Sequence, residues 1–167
     1  MSKDIVIIED GVRKINGKFI IDKIIHEDII GRLSPCDKLN YANYMTQKLY
    51  STYIECDPLM PWNTAICKLH QSAENKALPV LEDSEATEIV LTVIKFGLWA
   101  VAEKDIEKAK GYVIGAVSAA YALLEKEIFS KNKKEYAQAQ WIEPMTEEAI
   151  DKAIAFEKDS VNYILSI

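Results

Sequence analysis

The thirteen residues from Ile89 to Val101 carry a single charge, Lys95, and this stretch restricts the fold more than any other part of the chain. It is shorter than the roughly 20 apolar residues that a bilayer-spanning helix needs. Its apolar side chains Ile89, Val90, Val93, Ile94, Leu98 and Val101 cover most of a helical circumference, so a helix here has to be wrapped by other elements. Ser84 is read as its start, with Glu88 in the first turns. A second thirteen-residue apolar stretch, Tyr112–Leu124, lies inside a longer pattern. Ile106, Ala109, Val113, Ala116, Val117, Ala120, Leu124 and Ile128 follow the 3.6-residue period, which predicts one long helix from a break near Lys104–Asp105 to about Ser130.

The remaining helices follow from caps and breakers. Ser34-Pro35-Cys36-Asp37 places a capping hydroxyl, a proline at the first helical position and an early acid, opening a helix that runs to about Glu55. Pro58 and Pro61 interrupt it. Asn63 is read as the cap of a shorter helix through Ile66, Leu69 and His70 that fades before Pro79. Thr146 is read as the cap of a last helix carrying Ala149, Ile150, Ala153, Ile154, Phe156, Val161 and Ile164. Lys23–Ile30 repeats isoleucine at helical spacing and predicts a short helix ending at Gly31. Before it, Ile5-Val6-Ile7-Ile8 and Phe19-Ile20-Ile21 are strand-like, and Asp10-Gly11 and Asn16-Gly17 supply turn signals. The expectation is a mainly α protein: one domain over residues 1–167, a helical bundle of about five or six helices over 23–167, and a short N-terminal β-hairpin or meander over 1–22.

Charge and cysteine usage remove several classes. The net charge is −6 and the pI is near 5.0, with no basic stripe to neutralise phosphates, so direct nucleic-acid binding is not expected. Lys131, Lys133 and Lys134 form the densest basic group and are read as a helix C-terminal cap. Cys36, Cys56 and Cys67 are an odd set without CxxC spacing, which predicts reduced, buried thiols and a cytoplasmic location. Met1-Ser2-Lys3-Asp4 does not read as a signal peptide, and no membrane association is expected.

No motif carries catalysis. His26 and His70 are the only histidines, and neither accompanies a nucleophile motif or a Gly-rich phosphate loop. Cys67 and His70 share a helix face, but a zinc site needs three or four ligands, so no metal and no cofactor are expected. Asp22 and His26 face one another as a surface ion pair. Two acidic groups stand out: Glu82, Asp83, Glu85 and Glu88 at one helix start, and Glu143, Glu147, Glu148 and Asp151 at another. Acids there stabilise the helix dipole by about 0.3–1 kcal/mol each; the functional reading is a patch that meets a basic protein. Gly111, Gly115 and Ala119 form a small-residue stripe, read as internal packing with a homodimer seam as the alternative. Trp99 reads as core, and Trp62, between Pro61 and Asn63, as an aromatic anchor for an interface.

Arg32-Leu33, Tyr41, Met45, Gln47-Lys48-Leu49-Tyr50 and Tyr53, together with Pro144, Glu147-Glu148 and Phe156, resemble the pattern of the YjaG-like family of bacterial helical proteins. The matching positions cover about a third of the chain. The resemblance implies a helical fold and supplies no catalytic residues. The N-terminal strand-like runs depart from that family, which begins directly in helix.

Small size, acidity and the lack of catalytic motifs lead to the expectation of a non-catalytic binding protein: an immunity or antitoxin-like inhibitor that neutralises a basic toxin such as a nuclease. A homo-oligomeric structural or adaptor protein is the alternative. A carboxylate-based metalloenzyme stands third, because the Glu-x-x-His signature of di-iron bundles is missing.

Overall fold

A computed structural model describes residues 6–9, 12–15, 18–21, 30–54, 61–138 and 147–166. Ser34 opens the first helix, α1 (Pro35–Tyr53), as its sequence demands: its hydroxyl accepts the Asp37 N–H at 3.1 Å, and Pro35 fills the position where a donor would be unused. The second helix, α2 (Pro61–Glu74), starts three residues earlier than the Asn63 cap predicts, because Pro61 itself occupies the first turn. It closes in a paired-bond motif: Ala77 N–H reaches Ser72 O, and Lys76 N–H reaches Ala73 O. Lys76 takes φ 53°, the left-handed position that glycine usually fills.

The central helix, α3 (Asp83–Ala102), begins one residue before Ser84, with Glu82 as its cap residue and the Glu85 carboxylate accepting the Glu82 N–H. From Ile89 to Lys95 every residue is buried. It lies against α4 (Ile106–Tyr121), α1 and α6 (Glu147–Ser166), and α1 also meets α2 and α4. The break before α4 falls where the sequence places it, with the Asp105 carboxylate accepting the Glu107 N–H. The fold is mainly helical, six helices among the described residues.

The single long helix expected to run to Ser130 is two. α4 ends at Tyr121, and α5 (Lys126–Gln138) follows a turn. In that turn Leu123 N–H bonds back to Ala120 O, and Leu124 N–H to Tyr121 O. The Leu123 carbonyl leaves the helical ladder to accept Val80 N–H at 2.8 Å, while Ala122 and Leu123 are fully buried. Tertiary packing thus overrides the periodicity, and no glycine or proline between Ala116 and Lys126 announces the break. One consequence is that Lys131, Lys133 and Lys134 lie within α5 rather than capping a helix end, and Lys133 sits 5.5 Å over the Phe129 ring.

At the N-terminus the backbone of β1 (Val6–Glu9), β2 (Val12–Ile15) and β3 (Lys18–Ile21) pairs antiparallel in that order, with Val6 opposite Ile15 and Val12 opposite Ile21. β3 lies beside α6. Both expected turns and most of the Lys23–Ile30 helix lie outside the described residues. Its end is described: Ile30 and Gly31 are helical and Ile30 is fully buried. Thr146, the expected cap of α6, also lies outside them. No helix among the described residues is long and apolar enough to cross a membrane.

Two glycines set how closely the helices approach. A methyl group on Gly97 of α3 would overlap the Phe156 ring of α6, and one on Gly115 of α4 would come 2.9 Å from Phe96 Cε1 of α3. Gly111 has nothing within 4 Å of the same position. The same substitution should therefore have opposite signs at two helical glycines. Gly97→Ala is expected to destabilise by about 1–3 kcal/mol through overpacking. Gly111→Ala is expected to be neutral or to stabilise by up to about 1 kcal/mol through helix propensity. Denaturant unfolding of both variants checks this, and equal effects would contradict the close approach of α3 and α6.

Candidate functional site

The first acidic group is largely occupied in holding the fold. Lys38 of α1 has a fully buried side chain, and its ammonium bonds the carboxylate of Asp83, which is 63% exposed. A buried ammonium requires such a partner. Glu85 accepts the Glu82 N–H in the first turn of α3, as noted above. Glu82 and Glu88 are exposed. Lys38 is the residue that the sequence reading missed, since nothing in its neighbours distinguishes it from a surface lysine.

The second group is differently placed. Glu143 lies outside the described residues. Glu147 starts α6, and Glu148 and Asp151 are exposed on its first turns. The end of α3 meets this start: Ala102, Glu103 and Lys104 share a crevice with Glu148, Ala149 and Lys152. Asp105 and Glu107 follow immediately and are exposed. The fold thus brings Glu103 beside Glu148 at one end of the bundle, with Lys104 and Lys152 lining the same crevice. Glu148 holds Lys152 at 3.3 Å, one turn along α6. The α3–α4 turn acids were not singled out from sequence, because their neighbourhood with α6 exists only in three dimensions.

Between α1 and α6 lies a polar and aromatic contact. The Tyr44 ring stacks on Tyr163 with centroids 3.8 Å apart and planes within 4°. Tyr44 Oη donates to Asp159 at 3.0 and 3.1 Å, Lys48 Nζ reaches the same carboxylate at 2.5 Å, and Tyr41 and Ser160 share a buried hydroxyl–hydroxyl bond. Burial, then the bond to Asp159, push the Tyr44 phenol above its usual range.

Beside this contact opens a groove of about 420 Å³. Leu49, Val101, Ala155 and Phe156 form its apolar wall, and Lys48, Lys152, Thr52 and Tyr53 its polar edge. On α1 the four lining positions fall at i, i+1, i+4 and i+5, and on α6 at i, i+3 and i+4, so each helix offers one face. Burial raises the Tyr53 phenol and the nearby Lys152 ammonium partly opposes that, leaving a neutral hydroxyl at ordinary pH. Among the described residues no three His, Cys, Asp or Glu side chains converge as a metal-binding group.

Several other expected features are resolved. Trp62 is half-buried and packs against the core. Trp99 is half-buried, edge-on to Tyr112 at 5.1 Å. Cys67 is exposed and Cys36 half-buried, so the expectation of buried thiols fails for Cys67: it falls on the outer face of α2, beside the solvent-facing His70–Glu74 pair at 3.0 Å. Cys56, Asp22, His26 and Trp141 lie outside the described residues. In the small-residue stripe, Gly115 faces Phe96 and Ala119 is buried, both as internal packing, while Gly111 is exposed.

The role of Asp83 is testable apart from any partner. Asp83→Asn should lower unfolding stability by about 1–3 kcal/mol, because it weakens the partner of a buried charge. Lys38→Met should be milder, since it removes the charge together with its need for a partner. Chemical denaturation measures both, and an Asp83→Asn variant as stable as the parent would show that the pair does not support the fold.

In comparisons with protein-family models, with curated proteins and with solved structures, the chain matches none.

Proposed function

We propose that this chain is a non-catalytic binding protein, an immunity or antitoxin-like inhibitor that engages a basic protein partner in the cytoplasm. The observation that carries this reading is the meeting of Glu103 and Glu148 where the close of α3 reaches the start of α6, with Asp105, Glu107 and Asp151 exposed within four residues of them along the chain. Over residues 103–108 and 147–152 carboxylates outnumber lysines six to three, and such an excess attracts a cationic surface over a distance of about one Debye length, roughly 8–10 Å at ordinary salt. Inhibition of this kind needs complementarity of shape and charge, and no chemistry of its own. The acids of the α3 start contribute less to this reading, since Asp83 is engaged with Lys38 and Glu85 with the helix cap.

The N-terminal β-hairpin or meander belongs to the same proposal. Its strand pairing and the proximity of β3 to α6 support a sheet docked on the helical body. A strand edge offered to a partner would supply main-chain hydrogen bonds. The likeness to YjaG-like proteins is likewise part of the proposal and adds only the helical frame.

Capture from a lysate of the source cells, at low and then moderate salt, supplies the partner for the test. Glu148→Lys with Asp151→Lys is expected to slow association by about tenfold or more and to flatten its salt dependence, with dissociation little changed. A captured partner that is acidic, or association kinetics untouched by the two reversals, would overturn the reading.

A further inference from the structure

The groove between α1, α3 and α6 is unusual in its charge. The chain as a whole carries −6, yet the groove is lined by two lysines, two hydroxyl residues and apolar side chains, with no carboxylate among its lining residues. The acids that pair with the lysines are not among the lining residues: Asp159 holds Lys48 at 2.5 Å and Glu148 holds Lys152 at 3.3 Å. An ammonium has three N–H donors, so each lysine retains donor capacity toward the groove. Thr52 directs its proton to the Lys48 carbonyl at 2.8 Å, which leaves its oxygen as an acceptor only.

We infer that this groove binds an aliphatic monocarboxylate, with its chain along Leu49, Val101 and Phe156 and its carboxylate between Lys48 and Lys152. The apolar wall selects a hydrocarbon rather than a sugar or a nucleotide. The remaining N–H donors of the two ammonium groups favour an anion, which accepts them, over a cationic amphiphile of the same length, which cannot. A volume of about 420 Å³ lies near the lower end of the range for small-molecule sites, about 300–1,000 Å³, and suits one chain rather than a two-chain lipid. Ala155 is exposed at the edge of the groove, where a larger side chain would fill the space without disturbing the core.

The inference stands apart from the inhibitor reading, since either can fail while the other holds. The test is calorimetric titration of the full chain with dodecanoate, and separately with dodecyltrimethylammonium, each kept below its micelle concentration. Dodecanoate should bind saturably at one site per chain and at least about tenfold more tightly than the cationic amphiphile. Lys48→Ala with Lys152→Ala should remove that preference. Ala155→Trp should abolish binding while leaving the melting temperature near that of the parent. If the double lysine variant does not fold, the anion-over-cation preference and Ala155→Trp still decide. No dodecanoate binding, equal affinity for the two amphiphiles, or undiminished binding by Ala155→Trp would each overturn the inference.

Discussion

The burial of α3 is the constraint to which the other elements answer. A helix whose residues from Ile89 to Lys95 are all buried has no face to give to water, so its neighbours have to surround it. Each fully buried aliphatic side chain contributes about 1.5–3 kcal/mol relative to exposure, and α3 supplies Ile89, Val90, Val93 and Ile94 at 0% exposure. The approach of those neighbours is set by where a side chain is missing. Gly97 admits the Phe156 ring of α6, and Gly115 admits the Phe96 ring of α3 into α4. These two aromatic insertions seat α4 and α6 against the same hub, and α1 then packs against α3, α4 and α6.

Everything proposed for function depends on that arrangement. The acidic end exists because the close of α3 meets the start of α6, which brings Glu103 beside Glu148. The groove exists because α1 and α6 touch through Tyr44, Asp159 and Tyr163 and diverge beyond them, with Val101 of α3 between. The contact is made of directional bonds, whereas the groove next to it keeps apolar walls and lysines whose acids lie outside it. Lys152 links the two regions, paired to Glu148 at the acidic end and lining the groove on its other side.

Local signals in the sequence were informative where one element decides its own structure. Ser34-Pro35, the break near Lys104–Asp105 and the apolar circumference of α3 each depend on neighbours within a turn or two; α1 and α3 fall within one or two residues of their predicted bounds, and α4 starts where the break places it. The split between α4 and α5 could not be read this way, because it depends on Leu123 accepting a bond from Val80, more than forty residues earlier. Lys38 was hidden for the same reason: its burial comes from α3, and Asp83 looked like one acid in a patch. Of the candidate site, the acids of α6 were legible by composition. Their alliance with the α3–α4 turn, and the groove shared by three helices, are properties of packing alone.

Native-state hydrogen exchange measures the central claim most directly. If α3 is the hub, the amides from Val90 to Leu98 should exchange only through global unfolding, with opening free energies equal to the stability found by denaturation. The amides of α5, which touches the body chiefly through α4, should open at lower free energy. Exchange in α3 that is as fast as in α5, or that is far below the global stability, would contradict an architecture built around a buried central helix.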